Sequence, residues 1–142
     1  MNPYYEYEHR VTFAETNVVG NVYFTAHLTW QGACRELFLA DRAPGVLQRL
    51  RDDLALVTVS CSCDYVTELH ALDRISVRMS LAGIEDNRIT MAFGYYRTGA
   101  GPALLAARGR QTIACMTRTP DGLHPTEVPE EFAEALRPYA SR

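Results

Sequence analysis

The stretch HRVTFAETNVVGNVYFTAHLTWQGACRELF, from His9 to Phe38, sets a polar loop between an alternating strand and an almost wholly apolar helix. Tyr5, Tyr7, His9, Val11 and Phe13 alternate with more polar neighbours, which predicts a strand from about Tyr4 to Phe13. The loop follows over Ala14 to Asn21. From about Tyr23 to Arg42 apolar residues return at helical spacing: Trp30, Ala33, Cys34 and Leu37 make one stripe, and Leu28, Gln31, Arg35, Phe38 and Leu39 a second. Two stripes predict a helix enclosed on most sides. The third side, Thr25, Thr29, Gly32 and Glu36, is mostly small, as expected where another backbone comes close. Pro44 and Gly45 end the helix.

Beyond a short, Arg-rich helical linker, four strands are predicted, over about Leu54 to Leu69, Arg74 to Gly83, Arg88 to Thr98 and Ala103 to Thr117. Ile75, Val77, Met79 and Leu81 alternate with polar partners, as do Ile89, Met91, Phe93 and Tyr95, so both strands have one buried and one wetter face. Turn residues at His70 to Asp73, Glu85-Asp86-Asn87 and Gly99-Ala100-Gly101 separate them. Such short connections favour antiparallel neighbours. A turn at Pro120-Asp121-Gly122 and a last helix opening at Pro129-Glu130-Glu131 complete the chain. The expected fold is α+β, a curved antiparallel sheet around one long helix, in a single domain over residues 1–142.

Composition narrows the function. The chain is 47% hydrophobic and 22% charged, as in ordinary globular domains, and its formal net charge of -3 gives no attraction to nucleic acid or anionic membrane. All of its basic residues are arginine, which fits codon bias in a GC-rich genome. The opening MNPYYEYEHR lacks the charged and apolar regions of a signal peptide, and no apolar run reaches the roughly 20 residues of a membrane helix. Cys34, Cys61, Cys63 and Cys115 lack the paired spacing of a zinc site, and Cys61 and Cys63 share a strand face where thiols are expected as small core fillers. A cytoplasmic, reduced protein is expected, with no metal or cofactor and no nucleic-acid or membrane partner.

Phe13, Glu15, Asn17, Gly20, Val22 and Tyr23 match in order the motif of the hot-dog-fold thioesterases of the 4-hydroxybenzoyl-CoA thioesterase type, in which a strand ending in Phe-x-Asp-x-Asp leads through a turn at Gly into a long helix. Tyr65 and Asp73 resemble that family's Tyr-x(n)-Gly-Asp segment, with Leu72 in place of glycine. Leu104 to Ile113, then Pro125 and Val128-Pro129, resemble its last strand and exit. Closer still, Glu15-Thr16-Asn17, the Arg35-Glu36 step and the opening Asn2-Pro3-Tyr4-Tyr5-Glu6-Tyr7 resemble the thioesterases of enediyne antibiotic biosynthesis.

The resemblance implies a homo-oligomer, dimer or tetramer, with sheets paired edge to edge and each site built from two subunits. It also implies a substrate, a polyene or β-ketoacyl chain held as a phosphopantetheine thioester on the acyl carrier domain of an iterative polyketide synthase. Hydrolysis would release a β-keto acid able to lose carbon dioxide. An ordinary acyl-CoA thioesterase and a non-catalytic acyl-binding subunit remain alternatives.

Asn17 stands where the family has its hydrolytic aspartate. An amide takes no proton at neutral pH, but its carbonyl can hold a water and its NH2 can donate to developing negative charge. Arg35 stays charged and can stabilise an oxyanion, and backbone N–H groups over Gly20 to Val22 would complete the oxyanion hole. Asn17 and Arg35 are therefore the candidate catalytic residues. His27, on the first turn of the helix, Thr58, Tyr23 and Gly20 are candidates for substrate contact, although Asn17 also suits an Asx turn, His27 a satisfied structural histidine, and Tyr23, Phe24 and Trp30 the core. Glu15 reads as a loop or subunit-interface anchor. Glu36 is the helix carboxylate that could replace the missing base, but its stripe points towards packed backbone.

Overall fold

The computed structural model describes residues 3–141, so Asn2 of the opening run lies outside the described residues. In chain order the elements are β1 (Tyr5–Arg10), α1 (Ala26–Arg42), α2 (Pro44–Arg49), β2 (Leu54–Tyr65), β3 (Arg74–Glu85), β4 (Arg88–Thr98), β5 (Leu104–Thr119), β6 (Gly122–Pro125) and α3 (Glu130–Leu136). Single 3-10 turns lie at Phe13–Glu15 and Arg137–Tyr139. All pairings among the named strands are antiparallel; the sheet runs β1-β3-β4-β5-β2, with β6 also on β5. Short turns join β3 to β4 and β4 to β5, so those neighbours in sequence are neighbours in the sheet.

Alternation decides which face holds the core. Ile75, Val77 and Met79 of β3 and Ile89, Met91, Phe93 and Tyr95 of β4 are buried together with Trp30, Cys34, Phe38 and Leu39 of α1. Each such side chain, fully removed from water, contributes on the order of 1.5–3 kcal/mol. The sheet curves around α1, which gives the expected α+β architecture.

Several expectations need correction. The first strand stops at Arg10, because Val11 donates to the Asp73 carbonyl and accepts from the Leu72 N–H before the chain tightens into the 3-10 turn. Phe13 is consequently exposed. Helix α1 begins at Ala26, since the Tyr23 N–H is already committed to the Glu15 carbonyl. Trp30 is core, but Tyr23 and Phe24 are 49% and 57% exposed, and their rings meet tilted at 43° with centroids 4.8 Å apart. The third side of α1 faces open space within the chain: Thr25, Thr29 and Glu36 are exposed, and a Cβ added at Gly32 meets nothing within 4 Å. Pro44 opens α2 from its first turn as well as ending α1. Strand β2 ends at Tyr65, where the Val66 and Thr67 N–H groups both turn to the Ala106 carbonyl. Strand β6 was not foreseen; past Gly122 the chain folds back on the end of β5.

Two features bear on the site. Strand β2 is an edge, bulged between Thr58 and Ser60, and its run from Val57 to Ser62 is exposed. Cys61 is exposed with it, contrary to a core filler, while Cys63 is half-buried against the core. A long edge with exposed Val57 and Val59 presents unpaired backbone groups suited to another strand. Leu72, in the turn before β3, has φ 71°, the left-handed conformation that favours glycine.

Candidate active site

The loop between β1 and α1 is a small closed hairpin. Thr16 bridges Val22, the Asn17 N–H donates to the Asn21 carbonyl, and the Gly20 N–H donates back to the Asn17 carbonyl. Gly20 has φ 94°, which explains glycine there. The Asn17 side chain makes the Asx turn: its Oδ1 accepts the Val19 N–H at 3.0 Å. One lone pair of that oxygen and the Nδ2 group have no partner among the described residues.

The oxyanion donors expected over Gly20 to Val22 are corrected by the same bonds. Gly20 N–H is spent on the turn, and Val22 N–H donates to the Leu69 carbonyl at 2.7 Å. The N–H groups at the start of the helix, Phe24, Thr25 and His27, make no hydrogen bond among the described residues. An α-helix leaves its first N–H groups unused, so this end of α1 carries the available donors.

Glu15 fixes the loop to the helix. Its carboxylate accepts from Trp30 Nε1 at 2.7 Å, from the Thr12 N–H at 2.8 Å and from His9 Nε2 at 2.9 Å, while His9 Nδ1 lies 2.8 Å from the Tyr7 hydroxyl. Burial alone would raise the Glu15 carboxyl, but the bonds donated by Thr12, His9 and Trp30 outweigh it and hold it below the ordinary carboxylate range.

His27, Gln31 and Arg35 recur every four residues and so line one flank of α1, towards β2 and β5. His27 is 4% exposed, packed against Trp30, Tyr65 and Tyr95, and burial pushes its pKa down to about 4, with the Phe24 backbone opposing. Its Nδ1 has no hydrogen-bond partner among the described residues. Gln31 donates from Nε2 to the Ser62 carbonyl at 2.9 Å, over Gly109, where an added Cβ would come within 2.3 Å of that nitrogen. Gln31 Oε1 is left over. Arg35 donates from Nη1 to Gln111 Oε1 at 2.8 Å, its Nε is buried without a partner among the described residues, and burial lowers its pKa against the nearby charge of Glu36.

The sequence candidates thus fall into two groups. At the N-terminal end of α1, Asn21, Phe24, His27, Tyr65 and Thr67 line a cavity of about 280 Å³, closed on one side by a 2.5 Å bond from the Tyr65 hydroxyl to the Phe24 carbonyl. Asn17, Gly20 and exposed Tyr23 belong to the loop above it. Arg35 lies nine residues further into the helix than Ala26, roughly 13 Å along its axis. Thr58, exposed on β2, pairs with Ile113, which shares the inner face of β5 with Gln111. Within one chain nothing joins Asn17 to Arg35. Gln31 and Gln111 were missed by sequence reasoning; Gln31 looked like part of an apolar stripe, and Gln111 lies 76 residues from Arg35.

Residues 11–136 match the Thioesterase-like superfamily, and the chain belongs to it. It is a thioesterase of the hot-dog fold, an enzyme that hydrolyses thioester bonds. It is 54% identical to the dynemicin thioesterase, whose structure was described for polyene binding, with a TM-score of 0.95 over 98% of this chain and 99% of that one. A 4-hydroxybenzoyl-CoA thioesterase mutant complexed with 4-hydroxybenzoyl-CoA shares the fold at 17% identity, TM-score 0.82, over 95% and 99% of the two chains. The 1,4-dihydroxy-2-naphthoyl-CoA thioesterase Slr0204 from Synechocystis does so at 24% identity, TM-score 0.78, over 94% and 96%. No match was found among curated proteins.

Proposed function

We propose that the protein, as a single hot-dog domain, hydrolyses a long polyene or β-ketoacyl thioester from the phosphopantetheine arm of an acyl carrier domain of an iterative enediyne polyketide synthase. The released β-keto acid can then lose carbon dioxide. The observation that carries this reading is Arg35, a largely buried cation whose hydrogen-bond partner is a neutral amide. Such a charge suits an anion that forms during reaction, and the 54% identity to a thioesterase described with a polyene supports the chain class.

In this mechanism water attacks the thioester carbonyl carbon. Asn17 orients it through the remaining lone pair of Oδ1 and donates from Nδ2, while Arg35 and the N–H groups at the start of α1 stabilise the oxyanion. The carbon–sulfur bond then breaks, the thiolate takes up one proton of the attacking water, the other passes to solvent, and the acid leaves as a carboxylate. Thiolate is a good enough leaving group that positioning and electrostatics suffice, with no covalent acyl-enzyme. His27, Thr58, Tyr23 and Gly20 border the substrate. Pairing of two exposed β2 edges in a dimer, or in a tetramer of such dimers, would bring the loop of one subunit to the Arg35 flank of the other. The protein would work in the cytoplasm, without cofactor.

Measured over acyl thioesters of increasing length, kcat/KM should rise by up to about 0.8 kcal/mol per buried methylene until further methylenes find no apolar surface to cover. Comparable values for acetyl, benzoyl and long-chain β-ketoacyl thioesters would rule the long-chain reading out.

A further inference from the structure

We infer that Gln111 is a positioning residue that aims the Arg35 guanidinium at the reacting thioester without neutralising it. The inference rests on the thioesterase reading of Arg35. Gln111 is 6% exposed on the inner face of β5, and its Oε1 accepts from Arg35 Nη1 at 2.8 Å. On that face its cross-strand partners are Cys61 on β2 and Met91 on β4, and its neighbours along β5 are Gly109 and Ile113. None of the four carries a charge. Glu36 is the acid that acts on Arg35 through space, and it is exposed on another side of α1.

A buried arginine ordinarily meets a carboxylate, which offsets the cost of desolvation. Here an amide takes that place. An amide oxygen accepts one N–H of the guanidinium, as a single carboxylate oxygen would, but it leaves the positive charge whole. Arg35 Nε remains buried and unpartnered among the described residues, so the guanidinium keeps N–H donors beyond the one that Gln111 takes. The arrangement fixes direction through Gln111 and reserves charge for an oxyanion or a carboxylate product.

The test compares Gln111→Glu, Gln111→Met and the parent protein in turnover of a long-chain acyl thioester, in inhibition by decanoate and in thermal unfolding. Glutamate keeps the bond and the size but cancels the charge. It should lower kcat roughly a hundredfold with much less change in KM, abolish decanoate inhibition, and leave the unfolding midpoint no lower. Methionine keeps the size but frees the guanidinium. It should lower kcat by about tenfold while decanoate still inhibits. Gln111→Glu with near-parental kcat and decanoate inhibition would overturn the inference. So would equal loss of decanoate inhibition in both variants, because position and charge would then be inseparable from packing. If Gln111→Glu fails to fold, decanoate inhibition that vanishes in Gln111→Met also overturns it, and inhibition that persists there with reduced kcat supports it. Absence of any thioester turnover by the parent protein would instead remove the reading of the site, while decanoate binding by calorimetry would still report on Gln111.

Discussion

The indole Nε1 of Trp30 donates a 2.7 Å hydrogen bond to Glu15 Oε2, and through it the loop that carries Asn17 is fastened to a fully enclosed aromatic of α1. His9 and the Thr12 N–H hold the same carboxylate from the strand side. A loop beside a catalytic site is a mobile element unless tied down. Glu15 supplies the tie, so the place of Asn17 depends on a residue that need not touch substrate.

Glu15→Gln should therefore destabilise the protein by about 2–3 kcal/mol at neutral pH, as bonds to a charged acceptor become neutral ones. The folded-state pKa of Glu15 lies below its ordinary value of 4.5. Its contribution is thus present above that pH and is lost as pH falls through the folded value. Urea unfolding should show the gap between parent and variant narrowing below about pH 4.5. A gap that stays constant into acid would remove the carboxylate from this role.

His27 makes a second pH signature. Its pKa falls from 6.5 to about 4 on folding, so the unfolded chain binds more protons between those values, and stability drops as pH falls through that window. The loss attributable to His27 should be about 2 kcal/mol between pH 7 and pH 5. His27→Phe should flatten the stability profile over that interval, and an NMR titration should find the His27 ring neutral at pH 6.

Arg35→Ala should keep the fold and lose about 3 kcal/mol of transition-state stabilisation, read as a fall in kcat of at least a hundredfold. Asn17→Ala should behave similarly. Glu36→Gln, on the open side of α1, should turn over like the parent, with no acid limb in the rate near neutral pH. A limb that Glu36→Gln removes would restore a carboxylate base.

Leu72 holds a left-handed turn at a position where the family pattern has glycine. Leu72→Gly should relieve that conformation at the expense of a more flexible unfolded chain, for a net gain of about 0.5–1 kcal/mol. A lower urea midpoint in the variant would show that exposed Leu72 contributes contacts outweighing the strain.

What the sequence made legible was whatever rests on local periodicity. Strand β4 falls on the residues expected, because Ile89, Met91, Phe93 and Tyr95 alternate without interruption between two turns. Trp30 as core follows from helical spacing alone. Tyr23 and Phe24 misled because aromatic content suggests burial, whereas their backbone is drawn into the Glu15 turn and leaves the rings outside. The site was legible as residue types and no further. Asn17 in an Asx turn could be read from its neighbours, but the pairing of Arg35 with Gln111 spans 76 residues and depends on strand register, which no local pattern encodes. The competition for Gly20 and Val22 N–H groups likewise arises from bonds to the turn and to Leu69.

The most direct test of the proposed activity is intact-protein mass spectrometry of a carrier domain loaded with a long polyene β-ketoacyl chain. Incubation with the protein should strip the acyl mass and leave the free phosphopantetheine thiol, with the linear acid or its decarboxylated ketone in solution, and Arg35→Ala should leave the carrier loaded. A carrier that stays fully acylated with the parent protein, while the protein readily hydrolyses a short acyl-CoA, would contradict the account.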